Sequence, residues 1–200
     1  MTKLLKLLLW AAMTTKAKLP DGYTEIAGIT MNDGVYYEIE DFKLKGSDTI
    51  KFSFLATASC NVIGAYSGSA GGNNFSLYVA VGGAGNYLRY KDGAYNSSID
   101  ADTWYDVTLT PTGSIGMKTD STWTEKDFEA TTNLCVGTTK TDASSAKLKG
   151  ALRGHVVVEG RLLLIPCKRT SDSAIGYYSP QMETFYENQG SGTPTEYTQV

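Results

Sequence analysis

Two glutamates have the spacing that carboxylate chemistry on a β-strand requires. Glu38 and Glu40 lie in a predicted strand, residues 35–41, and alternate residues of a strand point to the same face. Two carboxylates on one face are the minimum for acid–base cleavage of a glycosidic bond. No tryptophan stands beside the pair in the sequence to line a sugar cleft. We therefore predict the solvated outer face of an edge strand, in a protein that is not an enzyme.

A second acidic group, Asp100, Asp102 and Asp106, surrounds Trp104. Calcium takes several oxygen ligands, so a loop site at Asp100 and Asp102 is one interpretation of these residues. The spacing of an EF-hand loop is absent, and a polar turn accounts for the same residues without an ion. The sequence favours the polar turn. We expect no cofactor and no metal ion, with calcium at this turn as the weaker alternative.

Tyrosines and asparagines gather around two glycine-rich stretches, residues 64–72 and 81–85. The stretches open no helix and lack the GK[ST] ending of a phosphate-binding loop, so we predict hairpin connections. A tyrosine ring offers a flat apolar face to a sugar, and an asparagine amide can bond vicinal hydroxyls. Trp123 stands in a polar connection, where we expect it to be exposed. In the alternative interpretation several of these residues pack in the core. The candidate glycan-binding residues are Tyr66, Asn73, Asn74, Tyr87, Tyr95 and Trp123, with Tyr90 in the same cluster.

The composition of the chain excludes some kinds of site and partner. The chain has 200 residues and one histidine, so a zinc site built from several histidines of one chain is excluded. Its formal net charge of -3 provides no basic field, and we expect no nucleic-acid partner. Cys60, Cys135 and Cys167 show no C-x-x-C spacing, and each lies in or beside an apolar run. We predict three buried free thiols.

The elements that must position these residues are short β-strands. After Pro20 the sequence alternates apolar and polar residues between turn signals, which is typical of a sandwich or barrel. Glu159-Gly160 predicts a tight turn between two apolar strands. We expect the second of these strands to end where Pro166 begins the sequence PCKR. The predicted strands span residues 23–29, 35–41, 49–56, 61–66, 75–81, 87–90, 105–110, 114–118, 133–138, 154–158, 161–165, 175–178 and 185–186.

Residues 1–18 are the one segment whose sequence predicts a helix, and apolar side chains surround it almost completely over residues 7–13. The apolar run falls short of the ~18 residues that a bilayer-spanning helix needs, so we expect no membrane span. We predict an anchor or oligomerisation segment buried against other subunits. A signal peptide and a helix packed within the chain are the alternatives. The anchor candidates are Leu4, Leu5, Leu7, Leu8, Leu9, Trp10 and Met13.

The end of the chain resembles a known all-β module. An apolar strand ending in IPCKR is followed by a polar turn, then IGYY, then FYEN, then GSGT at residues 190–193. This order is similar to the C-terminal signature of concanavalin A-like (laminin G-like) jelly-roll domains in structural proteins of bacteriophages and prophages, particularly those of gut bacteria. The resemblance covers residues 19–193. Stretches that match other strands of the family are residues 19–25, 35–39, 63–66, 73–78, 104–107 and 133–137.

The resemblance implies a fold and limits the chemistry. It implies an all-β, two-sheet antiparallel jelly-roll sandwich over residues 19–193, preceded by the short N-terminal helix of residues 1–18 and followed by a polar tail, residues 194–200. Members of the superfamily that hydrolyse β-glucans carry three acids at alternate positions of one strand. The third position here is Phe42, so the resemblance does not extend to catalysis.

The resemblance also implies a virion protein that is assembled in the host cytoplasm. The expected role is a fibre, decoration or tail-associated adhesin that binds cell-surface glycans through many weak sites. The N-terminal helix would hold it to other virion proteins, and we expect a homo-oligomer, with a trimer favoured. A ligand-free capsid or tail cement protein and a secreted bacterial carbohydrate-binding module are the two alternatives.

Overall fold

The computed structural model describes residues 18–32, 34–68, 72–81, 87–91, 93–96, 98–139 and 146–198. Within these ranges the chain is all-β, and no helix in them is long and apolar enough to cross a membrane. The predicted N-terminal helix and its anchor candidates lie outside the described residues. The strands are β1 (Tyr23–Glu25), β2 (Gly28–Met31), β3 (Tyr37–Ile39), β4 (Ile50–Ala56), β5 (Cys60–Ala65), β6 (Asn74–Val79), β7 (Tyr87–Lys91), β8 (Gly93–Tyr95), β9 (Trp104–Thr110), β10 (Gly113–Ile115), β11 (Leu134–Val136), β12 (Gly150–Val158), β13 (Leu162–Arg169), β14 (Ile175–Ser179), β15 (Thr184–Tyr186) and β16 (Thr195–Glu196).

The strands form two antiparallel sheets, which confirms the predicted β-sandwich. One sheet has ten strands in the order β10-β9-β4-β12-β13-β14-β15, with β1 on β13, β2 on β12 and β16 on β2. The other has six strands in the order β3-β11-β5-β6-β7-β8. The glycine-rich stretches join antiparallel neighbours, β5 to β6 and β6 to β7, as hairpin connections should.

The core lies between the sheets, and strands such as β4 bury every second side chain. In β4, the side chains of Ile50, Phe52 and Phe54 are almost fully buried, while Lys51 on the opposite face is exposed. Strand β9 repeats the pattern. Full burial of one such apolar side chain stabilises the fold by roughly 1.5–3 kcal/mol, so the apolar residues of a strand face the core. The residues between them then point to the outer face of the sheet.

The predicted turn at Glu159-Gly160 is confirmed. Strands β12 and β13 pair across it in antiparallel register, with Val158 opposite Leu162 and Val156 opposite Leu164. Strand β12 starts earlier than predicted, at Gly150, because a bulge between Arg153 and Val157 interrupts the alternation that marks a strand in sequence.

The prediction that strand β13 ends before Pro166 is wrong. The strand continues to Arg169, and Pro166 lies where its neighbour changes from β12 to β1. Proline has no N–H to donate, but its carbonyl accepts a hydrogen bond from the Ile26 N–H at 3.0 Å on the side of β1. The N–H and carbonyl of one strand residue point to the same side, so the missing donor falls at this break in the ladder.

The end of the chain closes onto the ten-stranded sheet. Within the predicted polar tail, Thr195 and Glu196 form β16 and pair with β2. The Tyr197 N–H then donates to the Gly28 carbonyl at 2.9 Å. The three cysteines are free and buried, as predicted.

Candidate functional site

A cleft of about 570 Å³ opens on the outer face of the six-stranded sheet. Glu38 and Cys135 face it, because their strand neighbours on either side point into the core. The rest of the lining comes from the turn after β3, the end of β5 and the segment before β11. We call it the β3–β11 cleft, and its lining residues are Glu38, Asp41, Lys43, Tyr66, Ser67, Gly68, Thr131, Thr132, Asn133 and Cys135.

Small residues form a depression in the sheet surface beside the cleft. Cys135 pairs with Glu38 on one side and with Gly64 on the other, and Gly64 pairs with Ser76. A Cβ atom on Gly64 would lie 2.4 Å from the Cα atom of Ser76, and Gly64 has a φ of 148°. A larger residue at Gly64 would therefore force β5 and β6 apart, so this depression depends on glycine.

The thiol in the cleft floor is not a nucleophile. Burial raises the pKa of Cys135 to about 12, and the negative charge of Glu38 raises it further than the positive charge of Lys147 lowers it. The thiol is therefore protonated at neutral pH, and its Sγ donates a weak hydrogen bond to the Asn133 carbonyl at 3.9 Å. A nucleophilic cysteine must be a thiolate, so cysteine catalysis does not fit this site.

Hydrogen bonds hold some of the polar groups in the cleft wall in place. The Asn133 Nδ2 atom donates to Glu38 Oε1 at 2.8 Å, which fixes the carboxylate. The Thr132 Oγ1 atom is buried and has no hydrogen-bond partner among the described residues. A buried hydroxyl without a partner is unusual in proteins.

Tyr66 supplies the aromatic surface of the cleft. Its backbone N–H donates to the Thr139 carbonyl at 2.8 Å, and the guanidinium of Arg89 lies over its ring, 4.9 Å from the centroid. One face of the ring is therefore occupied by Arg89. The half-buried ring also lines the cleft, and an aromatic ring in a cleft wall is a surface on which a sugar can pack.

The other candidate glycan residues whose side chains are described do not join Tyr66 in the cleft. Asn74 is fully buried, and its Oδ1 atom accepts from the Ser67 N–H at 3.0 Å, so it holds the β5–β6 connection. Asn73 accepts from Lys91 Nζ at 2.9 Å. Tyr87 begins β7, and its side chain is not among those that the structure describes. Tyr95 is half-buried and packs on Trp123.

The expectation that Trp123 is exposed is wrong. Only 8% of its surface is exposed, and its ring stacks against Tyr90 and Tyr95 in the core. The polar neighbours in the sequence concealed this burial, because residues 124 and 125 point outward while Trp123 points inward. A buried tryptophan offers no face to a sugar, so Trp123 is removed from the candidate site.

The acidic residues near β3 also differ from the prediction in which of them line the cleft. Glu38 lines the cleft, whereas Glu40 is exposed in the turn after β3, outside the lining, and Phe42 is buried. Asp41 takes its place in the cleft because its backbone has a φ of 59°, which turns the chain. Strand parity missed Asp41, although aspartate is one of the residues that tolerate this left-handed conformation.

The predicted polar turn carries ion pairs. Lys118 Nζ lies 2.6 Å from Asp100 Oδ1, and Asp102 is an exposed turn residue with a φ of 55°. Asp106 lies on the adjacent strand and pairs with Arg153 at 3.4 Å. The described residues contain no group of three or more histidine, cysteine, aspartate or glutamate side chains placed to hold a metal ion.

A second concavity, of about 450 Å³, lies on the outer face of the ten-stranded sheet. The chain end supplies one wall through Tyr197, and the edge of the Trp104 ring meets Tyr197 with centroids 5.0 Å apart. The Arg153 guanidinium lies over Trp104, 4.4 Å from its centroid. We call this the Tyr197 groove. The sequence did not indicate it, because the expected polar tail gave no sign that Tyr197 would dock.

Comparison with known proteins gave no relationship that assigns a function. No protein-family model matches the chain, and no curated protein matches it.

Proposed function

We propose that this chain is a non-enzymatic bacteriophage virion protein that binds cell-surface glycans through the β3–β11 cleft. In this proposal the β-sandwich is a concanavalin A-like jelly roll, displayed as a fibre, decoration or tail-associated adhesin. The order of the strands supports the jelly roll, because the chain passes between the sheets from β2 to β3, from β3 to β4 and from β4 to β5.

The observation that carries the binding proposal is the composition of the cleft. One aromatic ring, Tyr66, is combined with carboxylate, amide and hydroxyl groups at Glu38, Asn133 and Thr131. Sugars present apolar C–H faces together with hydroxyls, and a ring beside several hydrogen-bonding groups matches both. The protonated Cys135 thiol favours binding over cysteine catalysis.

Binding at one such site would be weak, because the cleft is open and has a single aromatic wall. Many copies on one particle would compensate, since linked sites convert the second binding event into an intramolecular one. The anchor of residues 1–18 would supply that linkage by joining the chain to other virion proteins, in a homo-oligomer with a trimer favoured. This part of the proposal rests on the sequence.

The experiment is a glycan array probed with a multimer of the full chain, made by coupling biotinylated protein to streptavidin. We expect binding of the unmodified chain and strong loss of signal for Tyr66→Ala. Tyr197→Ala is the matched control, because it removes an aromatic ring from the second concavity and leaves the cleft intact.

The two alternatives give different results in the same experiment. A ligand-free cement protein would bind no glycan at high valency. A site in the Tyr197 groove would reverse the two variants, so that Tyr197→Ala loses binding and Tyr66→Ala keeps it. A secreted carbohydrate-binding module would bind glycans, but its mature chain would begin near Leu19, which mass spectrometry of the protein from its native source would reveal.

A further inference from the structure

Three half-buried aromatic rings lie together on the outer face of the ten-stranded sheet. The ring centroid of Tyr23 on β1 lies 5.3 Å from that of Tyr178 on β14 and 5.2 Å from that of Phe185 on β15. The strand neighbours Tyr177 and Tyr186 point into the core, so Tyr178 and Phe185 point away from it. We call the three rings the Tyr178 patch.

The rings of the patch are held in place by their surroundings. A Cβ atom on Gly176 would lie 2.9 Å from the Phe185 ring, so the glycine lets this ring lie against β14. The Arg169 guanidinium lies over the same ring, 4.9 Å from its centroid, and it pairs with Asp172 and Glu187 at 2.6 Å each. A surface that is already ordered loses little conformational freedom when it is covered. The patch is therefore suited to binding.

The patch lies where residues 1–17 join the described part of the chain. Tyr23 begins β1, and the Gly22 carbonyl just before it accepts from the Thr170 N–H at 2.8 Å, in the turn after β13. Residues 18–22 can span about 18 Å at most. Residues 1–17 are therefore tethered beside the patch.

Residues 1–17 have apolar surface that needs cover and a positive charge. Apolar side chains surround the predicted helix almost completely over residues 7–13. Burying them against aromatic rings removes both surfaces from water. The segment contains no aspartate or glutamate, and its lysines are Lys3, Lys6 and Lys16.

Carboxylates surround the Tyr178 patch. Asp172 and Glu187 lie beside it through their pairs with Arg169. Burial, followed by the negative charge of Glu183, raises the pKa of the Tyr178 hydroxyl, which places the Glu183 carboxylate near the ring. Glu25 lies on β1, two residues after Tyr23 and on the same face.

The cations near the patch offset only part of this negative charge. Arg169 is shared by two carboxylates, and Lys168 precedes it on the opposite face of β13. His155 pairs with Glu25 at 2.7 Å, but an imidazole is charged only when it is protonated. Four carboxylates therefore lie near the patch against two permanent cations, an excess that attracts a segment carrying lysines.

We infer that the Tyr178 patch is the docking surface for residues 1–17 of the same chain. Leucine side chains of the segment cover the three rings, and its lysines lie beside the surrounding carboxylates. A flat patch covers one side of a helix that is apolar all round, so the opposite side remains for other virion proteins. The patch thereby orients the anchor. This inference goes beyond the proposed function, because it does not depend on glycan binding.

The test is carbodiimide cross-linking of the full chain, which joins a lysine amine to a neighbouring carboxylate as an amide. Monomers and covalent dimers are separated on a denaturing gel, and mass spectrometry identifies the linked peptides. We expect the monomer band to contain links from the lysines of residues 1–17 to the carboxylates around the patch. These carboxylates are Glu25, Asp172, Glu183 and Glu187.

A pair of double variants tests the contribution of the rings. Tyr178→Ser with Phe185→Ser removes two contacting strands' rings from the patch, and we expect the yield of these links to fall about tenfold or more, because docking weakens with the apolar area lost. Trp104→Ser with Tyr197→Ser is the matched control, since it removes two contacting half-buried rings from another part of the same sheet. The control should keep the yield, and thermal melting checks that both variants fold.

The results separate this inference from the proposed function. Links to the patch carboxylates in the monomer band, lost in the patch variant alone, would support the inference. The same links in the dimer band alone would overturn it, because the occupant would then be a neighbouring copy. Links spread over carboxylates elsewhere, or equal yields from the two variants, would also overturn it. Glycan binding without the patch links would overturn this inference alone, and patch links without glycan binding would overturn the proposed function alone.

Discussion

The ring of Tyr90 stacks on the ring of Trp123, with centroids 5.2 Å apart and planes inclined by 28°. The Tyr90 hydroxyl extends this contact, because it donates to the Gly46 carbonyl at 2.8 Å and accepts from the Lys126 N–H at 2.9 Å. Strand β7 is joined in this way to two connections that lie outside the named strands. The stacked pair is a structural element of the sandwich and does not reach the cleft.

Replacing Trp123 should therefore cost stability. We expect Trp123→Ala to lower the free energy of unfolding by about 3–5 kcal/mol, because the substitution leaves a cavity in the core. Trp104→Ala is the matched control, since Trp104 lies on the outer face, and its loss should be clearly smaller. Urea denaturation monitored by circular dichroism measures both. A loss at Trp123 no larger than that at Trp104 would contradict the burial described.

Asp48 should be the most sensitive carboxylate among those in ion pairs. It is 4% exposed and accepts from the Lys45 N–H at 2.7 Å and from Arg161 Nη1 at 2.5 Å. Asp48→Ala removes the acceptor of both donors, and we expect a loss of about 1–3 kcal/mol. Glu129→Ala removes a surface partner of Lys45, 3.6 Å away, and should cost less than about 1 kcal/mol. Similar midpoints of urea unfolding for the two variants would count against this assignment.

The three thiols should be unreactive in the folded chain. Burial raises the pKa of Cys60 to about 11 and the pKa values of Cys135 and Cys167 to about 12, from a usual value of 9.0. We expect almost no reaction with a thiol-disulfide reagent at about pH 8, because little thiolate forms, and full reaction of all three after unfolding. Rapid labelling of the native protein would show that a thiol is accessible.

Because of these pKa shifts, the free energy of unfolding should fall as the pH rises above 9. Above pH 9 the unfolded thiols lose protons that the folded thiols keep, so the unfolded chain is favoured as pH rises. The contribution is complete below pH 9 and is lost toward the folded values, at up to about 1.4 kcal/mol per thiol for each pH unit. Urea midpoints should therefore fall between pH 9 and 11. Replacing Cys60 with serine should reduce that slope.

Deleting residues 1–18 should separate folding from assembly. The two sheets bury their core against each other within the described residues, so we expect a folded monomer with an unchanged β-type circular dichroism spectrum. The full chain should be oligomeric, and only the full chain should sediment with virus particles. Incorporation of the shortened chain to the same level would eliminate the anchor proposal.

The sequence predicts those strands whose residues alternate between apolar and polar types. Every predicted strand overlaps an observed one, because alternation in stretches such as β4 directly reflects one buried face. Strand β13 extends past Pro166 because a break between two neighbouring strands, which no local pattern records, removes the need for its N–H group. The short strand β16 was missed for a related reason, since its pairing partner β2 is distant in sequence. Strand β8 pairs with its neighbour β7 and was missed because three residues are too few to show an alternation.

The candidate site was less predictable than the fold. Tyr66 was predicted as a site residue from its type, whereas Glu38 was predicted only to lie on a solvated outer face, and the structure brings both into one cleft. Asp41 and Thr132 were missed, because a left-handed turn and a long-range packing relation place them there. Trp123 was misassigned because a polar sequence neighbourhood does not reveal which way a single ring points.

The most direct test of glycan binding at the β3–β11 cleft is an amide chemical-shift titration of the isotope-labelled full chain with a free uncharged hexose, at concentrations on the order of 10 mM. We predict that the shifted amides cluster at Glu38, Tyr66 and residues 131–135, and that Tyr66→Ala abolishes the shifts. Shifts confined to the Tyr197 groove, or no shifts with any hexose, would contradict the account.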